Sequence, residues 1–201
     1  MVYVMRDPYN GNGVRRRVGN SEEENERSNI PKVSTKTHGR SADPPKDSPM
    51  GDYVSPSNLY FEVFCYATED LEKVKRSVLN IMPKDLRSII EFDLSESKGY
   101  HGDPIIVVRG EVKENKLVKS FLENLSKSLD PGDRFLLSEK FIEYLDERGN
   151  LYLRISKQDA FLGRLKIGEK DVIKVKVSFQ VYGKKKLDKI LEYCKKLGLI
   201  I

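Results

Sequence analysis

Tryptophan is absent from this sequence, and histidine and cysteine occur only twice each. The two cysteines, Cys65 and Cys194, are far apart and too few for a disulfide framework or a cysteine-rich zinc site. Cys65 sits among alternating apolar residues and reads as a small core side chain. A reducing, intracellular compartment fits such usage, so a cytoplasmic protein is expected. With His38 and His101 as the only imidazoles, histidine-based catalysis and metal binding have little to draw on. No GxSxG elbow, HExxH pair or Walker-type loop is present. No catalytic residue, metal ligand or cofactor is assigned. Long apolar runs are missing too: none approaches the roughly 20 residues that span a bilayer. The N-terminus lacks the apolar stretch of a signal peptide. A membrane is therefore not expected among the partners.

Charge, by contrast, is dense. Lys and Arg number 36 against 31 Asp and Glu, a net charge of +5 with a pI near 9.0. That balance favours an acidic partner, but an excess of five is common in proteins that bind no polyanion. Charged residues make up 33% of the chain, while Gln158 and Gln180 are its only glutamines. This is a thermophile-like composition, in which ion pairs gain value with temperature.

The composition breaks near residue 56. Residues 1–56 are rich in Gly, Pro, Ser, Asn and charge, with an arginine cluster (Arg15, Arg16, Arg17) and an acidic one (Glu22, Glu23, Glu24, Glu26). Such a segment buries too little apolar surface to offset its ordering entropy, so it reads as a disordered tail. Met50 offers an alternative start. Nine basic and eight acidic residues lie in the tail, so +4 of the net charge belongs to residues 57–201, read as one domain.

Within that domain Leu59–Tyr66 alternates as a half-buried strand does. Thr68 is placed to cap a helix through Leu71, Val74 and Val78 that stops at Pro83. Ile89–Leu94 and Ile105–Glu111 read as two strands joined by a turn. Leu117, Phe121, Leu125 and Leu129 recur at helical spacing. Asp130-Pro131 opens a second helix carrying Phe135, Leu136, Phe141, Ile142 and Leu145 to Gly149. Leu151–Ile155 is a strand, 157–162 a helical turn, Val172–Tyr182 a long strand, and a basic helix closes the chain. The order β-α-β-β-α-α-β-α-β-α predicts an α+β fold: a two-layer, mostly antiparallel sheet with helices packed on one face.

Alternation gives the sheet two unlike faces. Ile173, Val175, Val177 and Phe179 point one way, and Lys174, Lys176, Ser178 and Gln180 the other. Tyr152 and Arg154 join the second set, as do Tyr60, Glu62, Phe64 and Tyr66. Rings and cations on an open sheet suit single-stranded RNA, with bases stacked on the rings and phosphates on the cations. The bland reading is that Glu62, Glu91, Asp93 and Glu111 pair with the lysines across strands.

Two further segments stand out. In Gly99-Tyr100-His101-Gly102-Asp103-Pro104, glycines permit close backbone approach, and Tyr100 and His101 can stack on or bond to a base. A plain hairpin turn explains the segment equally. In Ser156-Lys157-Gln158-Asp159 a capping box opens a helix flanked by Arg154, Lys157, Arg164 and Lys166. Such an end suits an anion, or is an ordinary cap with solvated cations. The acid pairs Glu69-Asp70 and Asp146-Glu147 suit a helix dipole and a solvated helix end. A Mg²⁺-dependent nuclease built on scattered carboxylates is the enzyme alternative.

The residues Thr68-Glu69-Asp70, His101-Gly102-Asp103-Pro104-Ile105 and Gly149 to Gln158 resemble the archaeal RNA-binding proteins predicted to be exosome-associated. The resemblance runs from about Leu59 to Phe179 and is most specific at Lys157 to Gly163. It implies a two-layer α+β fold like that of a ribosomal protein that contacts 5S rRNA. It also implies non-catalytic RNA binding, with a link to RNA processing or degradation. Where the family has His-His-Gly-Asn-Pro, this chain has Tyr100 and Asp103. A carboxylate at 103 repels a phosphate, which leaves base or sugar contact for that loop. The expected RNA contacts are Tyr100, His101, Gly102, Tyr152, Arg154, Lys157, Gln158, Arg164, Lys166, Lys174 and Lys176. Expected partners are rRNA or an exosome substrate RNA, with exosome or ribosome proteins. The alternative is a protein-interaction module docking through the open sheet or the C-terminal helix, where Leu197, Leu199, Ile200 and Ile201 form an apolar end suited to a partner or to the chain's own core.

Overall fold

The computed structural model describes residues 53–100 and 102–201. The tail expected over 1–56 lies, as far as residue 52, outside the described residues, and so does His101. Five strands form one sheet in the order β2-β3-β1-β5-β4, with every neighbouring pair antiparallel. They are β1 (Val54–Tyr66), β2 (Asp93–Lys98), β3 (Pro104–Val112), β4 (Asn150–Ser156) and β5 (Val172–Val181). Helices α1 (Leu71–Ile81), α2 (Lys84–Arg87), α3 (Asn115–Ser128), α4 (Pro131–Glu139), α5 (Lys157–Phe161) and α6 (Lys186–Lys196) complete the expected α+β architecture.

The core is where alternation placed it. Leu59, Phe61, Val63 and Cys65 of β1 and Ile173, Val175, Val177 and Phe179 of β5 are all buried. They share one cluster with Val74, Val78 and Ile81 of α1, Phe121, Leu122 and Leu125 of α3, and Ile190 and Cys194 of α6. On the opposite face Tyr60, Phe64, Tyr152, Lys174 and Lys176 are half-buried and Arg154 is exposed. At the C-terminus, Leu199 and Ile200 fold into this same core, and Ser126 Oγ donates to the Leu197 carbonyl at 2.7 Å. The apolar chain end therefore packs on its own domain, and Ile201 alone of that set is exposed.

Three local expectations are corrected. The cap of α1 is Asp70, whose carboxylate accepts from Lys73 N at 3.0 Å, because Glu69 N closes a turn onto the Tyr66 carbonyl and delays the helix. The second strand is Asp93–Lys98, not Ile89–Leu94. Ile89 N and Ile90 N instead bond the Leu86 carbonyl after α2, and Phe92 packs edge-on against Phe61 at 5.9 Å. The helix opened by Pro131 ends at Glu139, and a separate 3-10 turn runs Phe141–Tyr144. That break buries Leu137 and Phe141 and turns Phe135, Leu136 and Ile142 outward.

The register fixes which ends meet. Tyr66 opposes Ile105, Lys98 opposes Pro104, and Ser156 opposes Val172. The end of β1, the β2–β3 turn, the start of α5 and the 162–171 loop thus all gather at one end of the sheet.

Gly110 illustrates how tightly the central strands are packed. A methyl group there would enter the Phe61 ring and lie 3.0 Å from the Glu91 carbonyl. Gly110→Ala is expected to cost about 1–3 kcal/mol by overpacking. In urea unfolding the midpoint should fall while the slope stays constant.

Candidate nucleic-acid interface

The uncovered face of the sheet is built around a row of charges one residue deep. Asp93, Arg109, Glu62, Lys174 and Arg154 sit opposite one another across all five strands. Glu62 is buried at the centre, accepting from Arg109 Nε and Lys174 Nζ, each at 3.0 Å. Burial alone would raise the Glu62 pKa, but the hydrogen bonds from Lys174 and Arg109 outweigh it, and the net shift is downward. Cross-strand pairing is therefore a fact for Glu62. The neighbouring row runs Glu111, Tyr60, Lys176, Tyr152. Here Glu111 takes Asn58 Nδ2 at 2.8 Å and Lys113 Nζ at 2.9 Å. Tyr152 Oη donates to Asp146 at 3.1 Å.

The face is not evenly charged. Its acids lie on β2, β3 and β1, whereas β5 and β4 carry Lys174, Lys176 and Arg154. The edge beyond β4 is extended by a short added segment. Ser156 N bonds the Lys166 carbonyl at 2.9 Å, Gly168 N bonds the Arg154 carbonyl at 2.9 Å, and Ile155 bridges Ile167. Gly168 is required for this docking, since a Cβ there would lie 3.2 Å from Ser156 backbone atoms. The antiparallel bridge puts Lys166 on the same face as Arg154. Arg154 and Lys166 are both exposed. Beside them Arg164, with its side chain 65% exposed, spends one guanidinium nitrogen on Asp159 at 2.9 Å.

Lys157 holds this corner together. Its side chain is 6% exposed, and its ammonium bonds the Phe64 carbonyl at 3.0 Å, Glu69 at 2.7 Å and Asp171 at 2.6 Å. Its backbone N–H donates to the Asp171 carbonyl at 3.1 Å. Burial opposes the charge, but the bonds to Asp171 and Glu69 prevail and the pKa is raised. An ammonium has three donors, and all three are spent inside the protein. Lys157 is thus placed as a structural tie between β1, α1 and the 162–171 loop, rather than as the phosphate ligand expected from its sequence context.

The start of α5 is likewise already occupied. Ser156 Oγ accepts from Asp159 N at 3.3 Å and donates to the Asp159 carboxylate at 2.8 Å. The Asp159 pKa is lowered, chiefly by the Ser156 hydroxyl and then by Arg164. The chain's own acid fills the position expected to attract an anion. Gln158 is exposed on α5 and lines a groove of about 480 Å³ against the start of α1. Across the sheet end, Gly99 N bonds the Asp103 carbonyl at 2.8 Å and Gly102 N bonds that of Gly99 at 3.0 Å. This tight turn projects Tyr100, 99% exposed, with Gly102 beside it. Three strands across and five residues along β3 from the Arg154 row, the turn lies on the order of 20–25 Å from Arg154.

Sequence reasoning missed Asp171 and Arg109. The partners of Lys157 lie up to 93 positions away, which no local pattern reveals. Arg109 was legible, because it alternates with Val107 and Glu111 on a strand already recognised. Among the described residues, no three His, Cys, Asp or Glu side chains gather as a metal would need, and no helix is long and apolar enough to cross a membrane.

Residues 58–179 match the family model described as RNA binding. An RNA-binding protein of Pyrococcus abyssi is 37% identical over 139 residues, which cover 68% of this chain and 90% of that one. A solved structure of a DUF54 family protein from Archaeoglobus fulgidus superposes with a TM-score of 0.60 at 26% identity, covering 71% of this chain and 99% of the other. A DUF54 protein from Methanothermobacter thermautotrophicus gives 0.59 at 27% identity, over 71% and 98%. The chain belongs to this archaeal RNA-binding family.

Removing the Lys157 ammonium leaves Glu69 and Asp171 without their cation. Breaking a buried pair costs roughly 3–5 kcal/mol, and partial exposure of both acids lowers the expectation for Lys157→Met to about 2–3 kcal/mol. Because the folded pKa is raised, the ammonium's contribution is intact below 10.5 and is lost as pH climbs through the folded value. Urea midpoints measured against pH should therefore fall at the alkaline end in the parent chain and fall less in Lys157→Met.

Proposed function

We propose that this member of the family binds RNA without cleaving it, through the basic side of the open sheet face. The observation that carries the reading is one continuous surface. Lys174 and Arg154 stand on the adjacent strands β5 and β4 and Lys166 on the segment bridged to β4, with Lys176 and Arg164 beside them. Arginine and lysine so displayed neutralise phosphates and release counterions. Tyr152 borders the surface, and Gln158, Tyr100 and Gly102 belong to the same end of the sheet as its further contacts; His101 is proposed as a contact from the sequence alone. Lys157 serves it indirectly, by fixing the loop that presents Arg164 and Lys166. We further infer that the protein is an accessory in RNA processing or degradation, working at the exosome or the ribosome. The sequence resemblance supports that role, while the name of the Pyrococcus relative supports RNA binding alone. The tail and the domain from residue 57 are proposed to divide the labour, with the domain carrying the RNA surface.

Crosslinking in native cells, with both partners mapped, tests the role. Ribosomal RNA or exosome substrates joined to residues near Arg154 and Lys166 are expected. Recovery of no RNA would sink the reading.

The surface itself is tested by Arg154→Gln, Arg164→Gln and Lys166→Gln combined. These side chains are solvent-facing, and an exposed pair such as Arg164–Asp159 is worth about 0–1 kcal/mol, so the melting temperature should move by only a few degrees. Affinity for a labelled RNA hairpin should fall at least tenfold. Three phosphate contacts correspond to a log–log salt slope of about −2 to −3, so a fourfold rise in salt should cost the parent chain roughly 20- to 40-fold. The triple variant, which keeps Lys174 and Lys176, should lose that part of the slope and show a correspondingly shallower dependence.

A further inference from the structure

From the way the rings of the open face are covered, we infer that the RNA this surface takes is a double helix held by its phosphates, not a single strand with stacked bases. The inference rests on the RNA-binding reading above and narrows it to one class of RNA. Stacking platforms need rings whose faces are open to successive bases. Here the three rings of β1 on this face, Tyr60, Phe64 and Tyr66, each have a lysine of the protein itself over one side. Lys176 Nζ is 5.4 Å from the centroid of Tyr60, Lys174 Nζ is 4.6 Å from that of Phe64, and Lys157 Nζ is 5.1 Å from that of Tyr66.

These covers are held in place. Lys174 is bonded to buried Glu62 and Lys157 to Phe64, Glu69 and Asp171, so neither can swing aside without unpairing an acid. Phe64 also meets Tyr66 edge-on, with centroids 6.5 Å apart. The remaining ring of the face, Tyr152, is tethered through its hydroxyl to Asp146. Tyr100 and Tyr66 are the more exposed tyrosines at this end, at 99% and 42%; one stands on the β2–β3 turn and the other at the end of β1 under Lys157, so they do not form a row for consecutive bases.

What the face offers instead is charge in a fixed array. Arg154 and Lys166 project from paired backbone, and Arg164 is braced by Asp159. Cations projecting from a hydrogen-bonded sheet and its docked edge match a ligand whose phosphates are themselves held in fixed relative positions. A double-stranded RNA presents that, together with ribose hydroxyls across its shallow minor groove, while its bases are already stacked on one another. A flexible single strand gains little from such an array unless its bases find rings.

The test titrates the full chain against a blunt RNA duplex of about 16 base pairs and against each of its strands at equal phosphate concentration. Tight duplex binding, at least tenfold stronger than to either strand and equal for two unrelated sequences, is expected. Tyr66→Leu and Tyr60→Leu should leave duplex affinity within about twofold, whereas Arg154→Gln with Lys166→Gln should lower it at least fivefold. Stronger binding of a single strand, or loss of RNA affinity in the two tyrosine variants with cations intact, would overturn the duplex assignment while leaving RNA binding standing. Absence of binding to duplex and strands alike at low salt would overturn both together.

Discussion

Everything distinctive about this surface hangs from the ammonium of Lys157. One buried cation takes a carbonyl from the end of β1, a carboxylate from the start of α1 and a carboxylate from the loop before β5. Buried ion pairs are weak sources of net stability, because desolvation offsets most of their attraction. What such a node supplies is geometry. The three segments it joins could otherwise splay at the open end of the sheet. With Asp171 held in a left-handed conformation at φ 49°, the loop folds back and lays Lys166 and Gly168 along the edge of β4. The edge strand is thereby covered, which protects it from pairing with another chain, and the basic face gains an additional line of side chains.

The charge row across the strands follows a similar logic. Glu62 sits at its centre and is shared by Arg109 and Lys174, so the acid is neutralised from both sides. Toward β2 the row ends in Asp93, and toward β4 it ends in Arg154. The pairing cancels charge in the middle and leaves a gradient across the sheet. A domain of modest net charge can thus present one distinctly basic side, and it is the distribution rather than the total that matters to a polyanion. The dense but nearly balanced composition is what this arrangement looks like in sequence.

Much of this was legible beforehand, for a physical reason. Residues buried by alternation or by helical spacing announce themselves, so β1, β5, α1 and α3 and the two sheet faces could be read directly. Elements whose apolar residues serve another purpose were misread. Ile89, Ile90 and Phe92 resemble a strand but pad the turn after α2, while the true strand Asp93–Lys98 is polar because it lies at the sheet edge. Phe135, Leu136 and Ile142 suggested a long buried helix, yet the break at Lys140 exposes them. At the candidate site, alternation put Lys174, Lys176 and Arg154 on the uncovered face, but it showed neither the partners of Lys174 nor the burial of Lys157. Whether a lysine faces solvent or three oxygens depends on residues 88 to 93 positions away.

That distinction bears directly on what kind of recognition the fold supports. A lysine and an aromatic ring on the same sheet face look, in sequence, like two independent offers to RNA, one for phosphate and one for a base. In three dimensions they are partly offers to each other. A cation resting on a ring occupies the ring's π-face and keeps its charge at the surface, so the pair presents charge and withholds stacking. Three such pairs on a single face, two of them locked by ion pairs to buried or half-buried acids, convert an apparent stacking platform into a charged plate. The same residue types in the same strands would read single-stranded RNA if Glu62 and Asp171 were absent and the lysines were free to turn outward. The acids of this face therefore decide its chemistry as much as the bases do.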